Sequence, residues 1–407
     1  MTSLRNIITV EPVCLLFAWS MFMQGPITQS LIMKKVCADL YNETVCTHLG
    51  QYPDAENQVH SVSSHWIFFT VLGILPSVVT SMFICSWSDT VGRRLPMLIP
   101  SFGATLGSII LILSSVFMHL PYQLIVVNNI LVGLGGGFGT LNALTMSYIT
   151  DITDTTNRTK RIGIVHAMIF LGGTLGLVTG GIVLDKFGYA AVYILYLSLH
   201  LSLQLYVIMW IKESLQSKPH DGASGEPQKV RCGGLCNLEN PRRVFSVTFK
   251  KRSGNKRKHL LILICINMLV ILCVSGQMDL IVLFTKHSPL SWSGSLIGSY
   301  LATNNILTSL SLLVVFPIYM KCTSEKTRLH DITLAQIGFG FQVIGFVIVS
   351  IAVVTWMMFA ASLANLVSAL PMVVLPSLRS QLVSPHEMGD VLEALVEQPD
   401  SEEEITN

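Results

Sequence analysis

Charge is what this sequence has least of. Asp, Glu, Lys and Arg make up 12% of its 407 residues, against about 25% in a soluble protein. Apolar residues reach 51% and the mean hydropathy is +0.59. This excludes an ordinary soluble domain and predicts a polytopic membrane protein. A cleavable secretory signal is also missing, because the stretch Ile7–Met33 is too long for a signal core and reads as a first span. No nucleophile–base set and no nucleotide loop in its proper context is present, so an enzyme is the remote reading and no cofactor is expected. Cys232 and Cys236 have neither a second pair nor histidines at zinc spacing, which speaks against a metal. The run GLGGGFG at Gly133–Gly139 lacks the Lys-Ser/Thr of a phosphate loop and lies in an apolar segment. Small residues there predict close helix packing instead. The net charge of +2 says nothing about nucleic acid, and none is expected as a partner.

What is present is organised around Cys85–Leu95, CSWSDTVGRRL. It joins two apolar segments, Ser64–Ile84 and Pro96–His119, that carry no charge apart from His65 and His119 at their ends. Each is close to the roughly 20 residues that cross a bilayer as a helix. A tight loop holding an acid and a pair of arginines is a charged hinge at a membrane face, and the arginines mark that face as cytosolic. The loop resembles the signature G-x-x-x-D-x-x-G-R-[RK] of the major facilitator superfamily. Asp89, Gly92, Arg93 and Arg94 match it, and Cys85 stands where the first Gly is usual.

The remaining chain divides by composition. Residues 1–211 predict an N-terminal six-helix bundle, with a polar outer loop over 34–63. Its first span opens at Glu11 and Pro12, with a kink expected at Gly25-Pro26. The fourth span is expected from about Tyr122 to Thr150. The fifth (Gly163–Leu184) and sixth (Ala190–Trp210) are joined by a short turn, DKFGY. The loop Asp151–Arg161 reads as cytosolic, where Asp151 could cap a helix or pair with Arg158 or Arg161. Residues 212–259 form a basic cytosolic linker, and 260–379 an incomplete C-terminal bundle of about four spans. Residues 380–407 are an acidic cytosolic tail. This makes an all-α membrane protein of ten spans. In the outer loop, Asn42-Glu43-Thr44 is a glycan acceptor site. Cys37 and Cys46 can pair there or remain free thiols. Cys14, Cys85, Cys265 and Cys273 read as small packing residues.

Several stretches together resemble solute carrier family forty-six, the group of the proton-coupled folate transporter and its lysosomal and thymic relatives. They are VEP with a later GPIT, SSHW, SDTVGRR, RTKR, SPLSW with SLIGSY, and LPSLRSQLVSPHEMG. The resemblance implies the major facilitator fold and proton-driven movement of a small organic anion or amphipathic solute, across the plasma or an endolysosomal membrane. It also implies a proton- or substrate-handling role for Arg379 and Asp279. His166 stands where the folate transporter has a proton-handling glutamate, Val274 where the family has a histidine, and Ser291 where it has a cysteine. These differences argue against folate as the substrate. The family continues past Glu387–Gly389 into two more spans, so the chain reads as a truncated form. Its hinge is then expected to lack its usual latch partner. A non-transporting form that pairs with full-length chains is the rival expectation.

The residues themselves leave each of the three titratable candidates with two readings. His166 could exchange a proton over endosomal pH or hydrogen-bond a neighbouring helix. Asp279 lies deep in the seventh span, where low dielectric favours its protonated form, or it serves structure alone. Arg379 could hold a carboxylate bidentately or be one more cation at a cytosolic face. Asn304 and Asn305 could supply hydrogen bonds or tie helices together. The topology has a direct check. In sealed vesicles, impermeant proteases or labels should reach the Arg93 turn and the Lys250–Lys258 cluster from the same face, and access from opposite faces would overturn the two-bundle reading.

Overall fold

The computed structural model describes residues 9–47, 52–63, 66–153, 155–214, 257–258, 261–266, 269–270, 281, 284–285, 290, 292, 294–322 and 328–375. Among these residues there is no strand. The helices are α1 (Glu11–Leu40), α2 (Glu43–Thr47), α3 (Pro53–Ser63), α4 (Trp66–Val91), α5 (Leu98–Val116), α6 (Ile125–Leu134), α7 (Gly137–Ile152) and α8 (Thr155–Trp210) in the first half. The second half has α9 (Gly294–Leu310), α10 (Phe316–Cys322), α11 (Arg328–Ser350), α12 (Thr355–Ser362) and α13 (Asn365–Ser368). A π-helical turn, Ser311–Val315, joins α9 to α10 into one rod.

Seven of the described helical stretches are long and apolar enough to cross a membrane. One of them, Lys160–Trp210, holds 51 residues and is two crossings, because α8 breaks at Gly188 with φ 78°. Its first arm is the expected fifth span and its second arm the sixth. Most of the expected seventh span, the linker and the tail lie outside the described residues.

The fold departs from the sequence expectation at one place, adds a break at a second and decides a third. First, α1 runs through Pro26 and Lys34 to Leu40 as one helix. The supposed outer loop therefore begins as helix and then folds into α2 and α3. Lys35 explains the extension. It is 1% exposed, and its Nζ donates to the carbonyls of Phe117 (3.3 Å), Met118 (3.3 Å) and Leu120 (2.9 Å). These carbonyls lie just past the end of α5, and a cation suits that pole of the helix. Second, the fourth span is one membrane-crossing stretch, Tyr122–Ile152, as expected, but its helix is interrupted. It breaks between α6 and α7, where Gly136 has φ 86° and Gly137 φ 60°, values open to glycine at little cost. The freed carbonyls are answered locally: Ser77 Oγ donates to Gly136 O (2.6 Å) and Thr80 Oγ1 to Gly133 O (2.9 Å). Broken backbone at membrane depth survives only with such partners. The third place is the outer segment, where Cys37 and Cys46 are joined as a disulfide with Cα atoms 5.8 Å apart and Asn42 is exposed just after α1.

Close packing by small residues holds the first half together. Gly133 lies on the backbone of Gly73, and Gly103 on that of Gly135. Gly172 and Gly176 of α8 lie on the α1 backbone between Leu15 and Met23. Polar side chains add ties across helices. His200 sits between Ser20 Oγ (3.0 Å to Nε2) and Ser101 Oγ (3.1 Å to Nδ1), linking α1, α5 and the second arm of α8. Such bonds within a bilayer are worth on the order of 1 kcal/mol each.

The core has a fork in it. Near the hinge, one apolar cluster includes Val10, Phe17, Tyr148 and Ile162 of the first half with Phe316, Leu334 and Val373 of the second. Toward the opposite end it divides. Met23, Leu31, Ile32, Tyr193 and Tyr196 form a cluster wholly of the first half, and Ile281, Trp292, Tyr300 and Met358 one wholly of the second. The glycine contacts give a contrast that measures packing. Gly133→Leu should destabilise the purified protein by the roughly 1–3 kcal/mol of overpacking and so lower its thermal midpoint. Gly139→Leu, where nothing lies within 4 Å of the added carbon, should be tolerated.

Candidate functional site

The hinge is built at the end of α4. The helix closes when Gly92 adopts φ 103°, a conformation that side chains disfavour and that commonly ends helices. Gly92 has a second reason to be glycine: a Cβ there would overlap the carboxylate of Glu213. That carboxylate accepts the backbone N–H groups of Arg93 (2.7 Å) and Arg94 (3.2 Å). The first described residues of the linker thus fold back over the turn.

Arg93 is the centre of this arrangement. It is 3% exposed and forms an ion pair with Asp89, one helical turn before it, whose side chain is 1% exposed. Its Nε donates to Asp151 at the end of α7 (3.1 Å), and a terminal nitrogen donates to Ser88 Oγ (2.7 Å). Burial works against the charged guanidinium. The carboxylates of Asp89 and Asp151 outweigh that, so the Arg93 pKa is raised above its usual value. Arg94 turns the other way, with Nε on Val207 O (3.3 Å) and a terminal nitrogen on Ile208 O, at the last turn of α8. There a cation meets carbonyls that have no helical partner.

One expectation is corrected here. Asp151 pairs with Arg93, not with Arg158 or Arg161. The reason is position, since α7 ends beside the hinge turn. Arg161 pairs instead with Glu11 (3.1 Å), which also accepts the N–H of Thr9 (2.6 Å). The hinge turn also has partners other than a latch helix. Asp151, Glu213 and the end of α8 supply them from within its own half. Nothing in the sequence pattern marks Glu213, which lies at the edge of a polar linker.

The other candidates are placed less closely. His166 is half-buried on the first arm of α8, where it makes no hydrogen bond to a described residue. Asp279 and Arg379 lie outside the described residues, so the three are not brought together here. What His166 does adjoin is the seam between the halves, where the carbonyl of its neighbour Ala167 accepts Ser309 Oγ of α9 (3.1 Å). No cluster of three or more His, Cys, Asp or Glu side chains that could hold a metal occurs among the described residues.

The sequence profile of the Major Facilitator Superfamily matches residues 13–395. The chain belongs to the major facilitator superfamily. Its curated relatives are members of solute carrier family forty-six. It is 27% identical to the proton-coupled folate transporter of Bos taurus over 392 residues, which is 95% of this chain and 81% of the relative. It is 26% identical to the lysosomal proton-coupled steroid conjugate and bile acid symporter SLC46A3 of Homo sapiens, over 94% of this chain and 83% of that one. Among solved structures, the human organic anion transporter MFSD10 superposes with a TM-score of 0.71 at 15% identity, covering 96% of this chain and 89% of the other. The FucP transporter, in its outward conformation, gives 0.56 at 13% identity over 96% and 89%. These structural likenesses concern the fold.

The hinge generates a ranking of variants. Arg93→Gln leaves Asp89 and Asp151 facing each other without a cation, and breaking a buried pair costs about 3–5 kcal/mol. Arg94→Gln loses bonds at a more exposed site and should cost about 1 kcal/mol. Thermal unfolding of the purified variants should separate them in that order, and equal midpoints would contradict the role given to Arg93.

Proposed function

We propose that this membrane protein is a proton-coupled secondary transporter that moves small organic anions or amphipathic solutes by alternating access. The forked core carries the reading. One apolar cluster closes the two halves against each other at the hinge end, and separate clusters leave them apart at the other. That is the asymmetry of a molecule with two halves rocking about a central site. With the hinge end in the cytosol, as its arginines require, the crevice faces the outside or a lysosomal lumen. The relatives named above support the coupling ion and the solute class.

In this reading His166 and Asp279 exchange the driving proton, and Arg379 receives the anionic group. A proton shifts the balance of two conformations only by binding one more tightly than the other. A side chain beside the seam, such as His166, meets that condition because its surroundings change when the seam opens. Asn42 carries a glycan on the exposed outer surface. The protein resides in the plasma membrane or an endolysosomal membrane.

Proteoliposomes test this. Uptake of folates, bile acids and steroid conjugates should be faster at about pH 5.5 than at about pH 7.4, and a protonophore should abolish accumulation of the accepted solute. Asp279→Asn and Arg379→Gln should each remove the pH dependence. Uptake that ignores both the protonophore and these substitutions would refute the coupling scheme.

A further inference from the structure

The two halves meet along the first arm of α8 and the rod formed by α9 and α10. At the hinge end, Gly163 lies under the Phe316 ring and Val373, where an added Cβ would sit 3.2 Å from Phe316 Cδ1. One turn further, Ser309 Oγ donates to Ala167 O. Two turns beyond that, Gly173 faces Asn305, and an added Cβ would sit 3.0 Å from Asn305 Nδ2 and 3.3 Å from the Phe22 ring of α1. This third contact is near mid-length of both helices, where the shared core gives way to the separate ones.

Asn305 is unusual at this position. It is 2% exposed, yet its Nδ2 finds no hydrogen-bond acceptor among the described residues. Its neighbour Asn304 is satisfied, accepting Asn365 Nδ2 at 2.9 Å. Leaving a buried amide donor unpaired costs about 1–3 kcal/mol, and such a group is worth keeping only if something fills it. A second feature is a few residues away. The π turn Ser311–Val315 interrupts the rod, with Ser311 Oγ bonded to Leu366 O at 2.6 Å. A π turn inside an α-helix frequently accompanies a functional site. It sets the register between the Asn305 amide and the Phe316 contact.

We propose that Asn305 is a solute-binding residue. Its Nδ2 at the floor of the crevice donates to a carbonyl, carboxylate or sulfate oxygen of an amphipathic solute. The Phe22 ring beside it takes the adjoining apolar part. Gly173 leaves the room that both need. This rests on the transporter reading for its biological meaning, but the contact itself does not depend on transport.

The experiment separates the two. Binding of radiolabelled taurocholate and folic acid is measured on purified protein, and their uptake in proteoliposomes, for wild type, Asn305→Asp, Asn305→Leu and Gly173→Ala. Asn305→Asp replaces the amide donor with an anion facing the solute oxygen, and should weaken binding of an accepted anionic probe at least about tenfold. Asn305→Leu should weaken it similarly, and Gly173→Ala should do so while the amide is still present. A separate variant, Asn305→Cys, is treated with a hydrophilic methanethiosulfonate and the modified peptide is read by mass spectrometry. Modification that the bound probe slows supports the proposal, including where the side-chain variants are too unstable to assay. Failure of the reagent to modify the introduced thiol, or unchanged affinity in both Asn305→Asp and Asn305→Leu, overturns it. Wild-type protein that binds a probe without carrying it would defeat the transport reading and leave Asn305 standing. Uptake with unaltered KM in these variants would do the reverse.

Discussion

Arg93 is the constraint from which the rest of the first half follows. A guanidinium taken out of water needs anions and acceptors around it, and this one is placed where only folding can provide them. Asp89 comes from its own helix, Asp151 from α7, and Ser88 from the preceding turn. The turn that aims it requires Gly92, and the Glu213 carboxylate that binds the turn's backbone requires Gly92 again. One buried cation thus fixes the relation of α4, α7 and the start of the linker. Arg94 adds the end of α8. An ion pair of this kind is weak evidence of net stability but strong evidence of a specified geometry, since removing any member strands the others.

Away from the hinge the physics changes. Lipid offers no hydrophobic drive for one helix to prefer another helix to the bilayer. The many exposed apolar side chains, such as Phe102, Val116, Phe187 and Trp356, therefore need no partner. What remains is close approach and internal hydrogen bonding. The glycines of α8 allow α1 to lie on its backbone, and the His200 cluster ties three helices with neutral bonds. These contacts use side chains that look ordinary in sequence.

That difference explains which features are legible in the chain alone. The spans follow from long runs without charge, and the hinge from D-x-x-G-R-R between two of them. Both are local patterns. The break between α6 and α7 lies inside a run whose small residues do signal close packing, yet the choice between a straight glycine-rich helix and a broken one depends on Ser77 and Thr80 of another helix. Lys35 looks like the start of a loop because a lysine after an apolar run usually is one. Its true partners are carbonyls more than eighty residues away in sequence. Asp151 plainly needs a cation, but several arginines are within reach and only the fold chooses. Asn305 reads as a polar residue in a span with two possible uses, and no pattern separates them.

The distribution of strong and weak contacts bears on motion. The ion pairs Arg93–Asp89, Arg93–Asp151 and Arg161–Glu11 all lie within the first half. Besides the shared apolar cluster at the hinge end, the described seam between the halves carries neutral contacts: a hydroxyl on a carbonyl, a glycine under a ring, and a glycine against an amide. Bonds of the first kind are costly to break one member at a time. Contacts of the second kind are worth on the order of 1 kcal/mol or less each, and their loss on separation can be replaced by water entering a crevice. In the proposed alternating-access cycle, the halves part at this seam while the first half stays one body. The same weakness lets a bound solute matter. Beyond the apolar cluster the seam is held by a few small polar terms, so in the proposed cycle one additional hydrogen bond at its upper edge is comparable with any of them and can bias the balance between open and closed.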